Sequence, residues 1–258
     1  MASGDRGVLP PAAQTNLGLY KQLHASGYVT AELTWVRDCY EFATSLFAGH
    51  LRASGKPFLS HLVGTASTVA AVGAPAIAVG ASLLHAAYTH GDFGITRRRL
   101  RRERVRAAIG EAAEALVWRY HEMPWTPSEI GRLLSDHARL SETDRWVVLM
   151  RLANELDDNL DLAMLQSLEE KDAYRDCRDD LVALARAIGC PSLANTLLAA
   201  YREASEGSWA AALSLDRPAS YQLASPFGLR LLRPARKLLG LAQSLAHGIK
   251  SIAGRSAM

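Results

Sequence analysis

The sequence predicts an all-α fold, and three observations carry that prediction. Apolar residues make up 49% of the 258-residue chain while aromatics are only 7%, a balance set by alanine and leucine rather than by sheet-forming residues. Apolar positions recur three and four residues apart in one segment after another. No stretch of useful length alternates apolar with polar residues, as a half-buried strand would. The length allows one sizeable domain with an appendage. A formal charge of +3 is too mild to argue for a nucleic-acid partner. Cys39, Cys177 and Cys190 are odd in number and lack metal-type spacing, which points to a reduced, cytoplasmic chain.

The elements follow in order. MASGDRGVLPPAAQTN lacks the basic-then-apolar pattern of a signal peptide, so residues 1–17 read as a flexible lead. TAELTWVRDCYEFATSLFAGHLRASG sets Trp35, Cys39, Phe42, Leu46 and Phe47 on one helical face, ending at Gly55. FLSHLVGTASTVAAV is a second helix, and Pro75 opens a third that runs to about Thr89. The run from Leu62 to Leu84 carries no charge, but VGAP in its middle is turn chemistry, so two buried helices are expected rather than a membrane span. HGDFG is a loop, after which TRRRLRRERVRAAIGEAAEALVWRYHE becomes a fourth helix. MPWTPSE breaks the pattern, and Ser141 with Asp144 starts the next helix through a capping-box-like pair. The pair YRDCRDDLVALARAIG and PSLANTLLAAYREA completes a helical domain over 18–205. Residues 206–225 read as a linker. Residues 226–258 are basic, apolar at helical spacing and free of acidic residues, the pattern of an amphipathic helix lying on an anionic membrane surface, on a partner, or back on the domain.

Two groups of residues carry chemistry. His61 and His85 are embedded in apolar sequence on neighbouring helices, so each is expected to be buried or to line a cavity. Asn154, Asp157, Asp158 and Asp161 lie three or four apart and share one helix face. Histidines and carboxylates brought together make a metal site a reasonable expectation, against the plainer alternative of a core histidine and a solvated acidic face. A separate run, RRRLRRERVR from Arg97 to Arg106, holds arginines suited to phosphate recognition or to a solvated surface.

RASGKPFLSH (52–61), ASLLHAAY (81–88) and LMRLANELDDNLDL (149–162) occur in the order and at the intervals of known family motifs. Together they resemble the HD superfamily of metal-dependent phosphohydrolases, with the hydrolase domain of RelA/SpoT-type alarmone enzymes as the nearest likeness, over roughly residues 30–205. The HAAY segment is similar to a His-x-x-Tyr variant of the motif. The resemblance implies an HD-domain helical bundle and a divalent metal (Mn, alternatively Fe or Zn) held by two histidines and two aspartates. The metal would activate water against a phosphorylated small molecule or nucleotide. His61 and His85 fall on the histidine positions, but Ala86 and Asn154 stand where the aspartates are expected, and Thr89 and His90 where an acidic pair is expected. A rebuilt centre would draw metal ligands from His61, His85, Asn154 and Asp157, with His90 and Asp92 in catalytic roles. Ligand binding would fall to Arg52, Lys56, Tyr88, Asp158 and Asp161. The alternative is a non-catalytic relative that binds a ligand, a membrane or a partner.

Overall fold

The computed structural model describes residues 7–52, 54–162, 177–206 and 221–222, without the side chains of 161–162, 204–206 and 221–222. The fold is all-α. In chain order the helices are α1 (Asn16–Ala25), α2 (Thr30–Phe47), α3 (Phe58–Ala71), α4 (Ala76–Ser82) and α5 (Ala87–His90), then α6 (Arg101–Ile109), α7 (Glu111–Glu122), α8 (Pro127–Ser135), α9 (Glu142–Leu162), α10 (Arg178–Ala187) and α11 (Pro191–Glu206). A two-residue antiparallel pairing joins His50–Leu51 to Tyr221–Gln222. The linker and basic tail expected over 206–258 otherwise lie outside the described residues.

The centre of the bundle is α3. Phe58 and every residue from His61 to Ala70 are buried, as expected of a helix with almost no charged face. It packs on α9 and α4; α4 leans on α7 and α2, α9 on α7 and α11, and α10 on α11 and α8. Phe58, Leu62 and Val69 are essentially fully buried. At about 1.5–3 kcal/mol each, they outweigh the roughly 1–3 kcal/mol that taking one imidazole out of water costs when its bonds are incomplete.

Several elements depart from the sequence expectation. Helix α2 ends at Phe47 rather than Gly55, because the chain then turns, with Arg52 N donating to Lys56 O at 2.9 Å. The expected third helix is interrupted after α4. Successive bonds from Leu84 N to Ala81 O, His85 N to Ser82 O and Ala87 N to Leu84 O span three residues instead of four, and this tightened stretch leads into α5. The expected fourth helix divides at Gly110, whose φ of +87° suits glycine, into α6 and α7. Two helices were not foreseen. Helix α1 is capped by Thr15, and α8 by Thr126 with Pro127 at its first position. Residues 7–15 run along the bundle: Leu9 N donates to Thr196 Oγ1 and Ala13 N to Ser67 Oγ, both at 2.8 Å. Asp144 N donates to Ser141 Oγ at 3.0 Å, so α9 starts as its sequence predicts. The uncharged run is divided between α3 and α4, and among the described residues no helix is long and apolar enough to cross a membrane.

Candidate functional site

Four parts of the chain converge on one buried centre. Helix α3 supplies His61, the tight turn after α4 supplies His85, and α9 supplies Asn154, Asp157 and Asp158. The turn before α3 supplies Arg52 and Lys56. The two imidazole rings meet edge to face, 5.2 Å between centroids. His61 Nδ1 lies 2.8 Å from Asp157 Oδ2, and His85 Nδ1 lies 2.8 Å from the carbonyl of Ser82. Each Nδ1 therefore carries the proton and donates it, which leaves each Nε2 as the ring's lone-pair nitrogen. His61 Nε2 is buried and has no hydrogen-bond partner.

Helices α3 and α9 meet this closely because position 64 is glycine. A Cβ there would sit 2.0 Å from Asp157 Oδ1. The space admits the Asp157 carboxylate, which is 1% exposed. Lys56 Nζ donates to both of its oxygens at 3.0 and 2.9 Å, and Gln14 adds a further hydrogen bond. Arg52 NH2 approaches Asp158 Oδ1 at 2.5 Å. That oxygen has no directed hydrogen bond, so the pair is an ion contact rather than a well-aligned fork. Asn154 turns its amide to Asp158 Oδ2 at 3.1 Å. Among the described residues the centre sets two carboxylates, Asp157 and Asp158, against the Lys56 ammonium and the Arg52 guanidinium.

Burial is the largest influence on both histidines. It pushes His61 down to about 3, with Arg52 and Lys56 adding to the effect and Asp158 opposing it. His85 is also driven well below its ordinary value, by burial first and then by neighbouring His61. Both rings are neutral at physiological pH. Burial also raises the Asp157 carboxyl, against the pull of Lys56.

His61, Asp157 and Asp158 present ligand atoms all within 4.8 Å of one another, the spacing of a cation site. The residues nevertheless do not fit the two-histidine, two-aspartate set that the resemblance implies. His61 reaches this cluster through the nitrogen whose proton it shares with Asp157. The cation facing Asp157 is the Lys56 ammonium, and Asn154 offers its donor rather than its oxygen to the neighbouring carboxylate. Ala86, buried between His85 and α5, has no donor atom at all.

His90 is exposed at the end of α5, with its ring 5.5 Å from Phe58. Asp92 shapes its own loop: Gly94 N donates to its Oδ1, and its own N donates to Leu46 O. Asp161 falls in α9, but its side chain is outside the described residues. Tyr88 belongs to a second cluster around Glu114, a buried acid that the sequence reading passed over because it sits among alanines and leucines. Glu114 accepts from Arg102 Nε at 2.7 Å, Arg102 NH2 at 2.9 Å and Tyr88 OH at 2.7 Å. Burial alone would raise its carboxyl, but the Arg102 and Tyr88 hydrogen bonds outweigh it and hold the group below the usual range.

A family model described as a domain of unknown function (DUF6817) matches residues 42–124, a span that covers α3 to α7 and both histidines but stops before α9. No curated protein matches the chain.

Proposed function

We propose that this chain is a non-catalytic relative of the HD phosphohydrolases, a helical binding module whose ancestral metal centre has become a network of ion pairs. The observation that carries the reading is the position of Lys56, 2.9 and 3.0 Å from the two oxygens of a nearly inaccessible Asp157. A divalent ion bound there would have to displace an ammonium that is already desolvated and doubly bonded. Arg52 faces Asp158 as an ion contact, partly exposed and without the paired hydrogen bonds that Lys56 makes. The histidines, carboxylates and cations then serve as polar struts between α3, α9 and the turn after α4, and among the described residues no group is poised to activate water.

One observation favours a second reading. The buried, unpartnered His61 Nε2 beside His85, with both Nδ1 protons anchored to oxygen acceptors, is the orientation that imidazole ligands adopt around a metal. In that reading the two rings hold a divalent ion, and the alarmone-type hydrolase activity survives. Hydrolysis of a guanosine tetraphosphate or a generic phosphomonoester, assayed with added Mn²⁺, Fe²⁺ or Zn²⁺, separates the two. The first reading expects wild type to turn over no faster than His61→Ala. Metal-dependent turnover that disappears in both His61→Ala and His85→Ala overturns it.

A further inference from the structure

The arginine-rich run and two neighbouring helices enclose a cavity of about 460 Å³ that none of the histidine-centre residues lines. Its walls are Tyr88 from α5, Trp118 and His121 from α7, and Arg98, Arg99, Arg101 and Arg102 from the start of α6 and the turn before it. We propose that this cavity is a binding site for a phosphate-bearing aromatic molecule of mononucleotide size, whatever the state of the histidine centre.

The aromatic part is a corner of three rings. Tyr88 and Trp118 meet edge to face at 5.2 Å, while His121 lies 5.7 Å from Tyr88 and 5.5 Å from Trp118. Such a corner offers a flat, partly dry surface on which a planar ring stacks. It is also braced from beneath. Tyr88 is tied to Glu114 through its hydroxyl, and Arg102 is forked onto the same carboxylate while lying 4.2 Å over the Trp118 ring. The ring faces are therefore set before any ligand arrives.

The charge is equally one-sided. Four arginines line the cavity and no carboxylate does. Glu114 is 1% exposed beneath them, and its charge is taken up by Arg102 and Arg106. Arg98, Arg99 and Arg101 have no acidic partner among the described residues, and Arg101 Nε is buried without a hydrogen-bond acceptor. Guanidinium groups present paired donors that match phosphate oxygens, and three of them beside an aromatic corner select a ligand with a ring at one end and phosphates at the other. A solvated arginine face needs neither the concavity nor the rings. An acidic peptide needs an extended groove, whereas this volume lies within the usual 300–1,000 Å³ of small-molecule sites.

The test is calorimetric titration of the full-length protein with ATP as the probe, beside its two halves, adenosine and tripolyphosphate. The proposal expects ATP to bind more tightly than either half. It also expects Arg98→Ala/Arg99→Ala to weaken ATP binding by about tenfold or more, since charge-assisted contacts are lost. Both side chains are exposed, so this variant should melt with wild type; Arg98→Glu/Arg99→Glu should abolish binding outright. A ligand stacked on Trp118 also quenches tryptophan fluorescence, and the quench should shrink in Trp118→Phe. Four results overturn the proposal: no ATP binding at millimolar concentration, equal binding by the double alanine variant, tripolyphosphate bound as tightly as ATP, or ATP binding lost in Arg52→Gln but kept in the double variant. The last would place the nucleotide at the histidine centre.

Discussion

Asp157 shows what one substitution in the network does. Its oxygens accept from Lys56, His61 and Gln14 in a space where no solvent can replace a lost partner. Lys56→Met removes the countercharge and leaves a buried carboxylate facing a neutral imidazole. A loss of about 3–5 kcal/mol is expected in a denaturant titration. Gly64→Ala acts on the same group from the other side. On helix propensity alone it would gain about 1 kcal/mol, but a Cβ 2.0 Å from Asp157 Oδ1 forces the carboxylate or α3 to move. The net effect should be a destabilisation of about 2–4 kcal/mol. A Gly64→Ala protein as stable as wild type would show that α3 and α9 can part at Asp157 without cost.

The same centre gives stability a pH dependence. Unfolded histidines titrate near 6.5, and both His61 and His85 are pushed far below that in the fold. Below about pH 6.5 the unfolded chain therefore takes up protons that the folded chain does not, so the fold is fully favoured above that pH and loses stability as pH falls. His61, pushed down to about 3, contributes a loss on the order of 2 kcal/mol between pH 7 and pH 5, and His85 adds to it in the same direction. Asp157, whose carboxyl is raised, works in the opposite sense over its own range. The sharper measure is therefore the difference between wild type and His85→Gln, whose stability should fall less steeply over that interval by one histidine's share.

At the scale of elements, Glu114 ties α5, α6 and α7 together through Tyr88, Arg102 and Arg106. Arg102 and Arg106 are themselves partly exposed, so the ion pairs are screened and Glu114→Ala should cost less than a fully buried pair, about 2 kcal/mol. Chemical denaturation measures it. Apolar spacing made α2, α3, α9, α10 and α11 legible in the sequence, because each buries a continuous face. It did not reveal the break after Ser82, where the apolar run continues unbroken and only the hydrogen-bond spacing changes. Gly110 was visible as a glycine, but a single glycine inside a helical pattern does not announce a left-handed backbone. Helix α8 was hidden behind Pro124 and Pro127, which read as breakers, although Thr126 and Pro127 together are a start signal.

For the whole molecule, the resemblance carried by the three motifs implies that His61, His85 and the α9 acids share one centre, and the structure brings them together. What the sequence could not convey was the partner of each acid. Lys56 and Asp157 are 101 positions apart, and only the packing of the Arg52–Lys56 turn against α9 makes them an ion pair. The aromatic corner was likewise invisible, since Tyr88 and Trp118 come from different helices and meet over a buried glutamate.

The central claim is that positive side chains, rather than a metal, neutralise the acids of the histidine centre. Elemental analysis of full-length protein purified without chelators, wild type beside His85→Ala, tests it most directly. The account expects Mn, Fe and Zn each well below one equivalent in both proteins. Close to one equivalent in wild type, lost in His85→Ala, would contradict it.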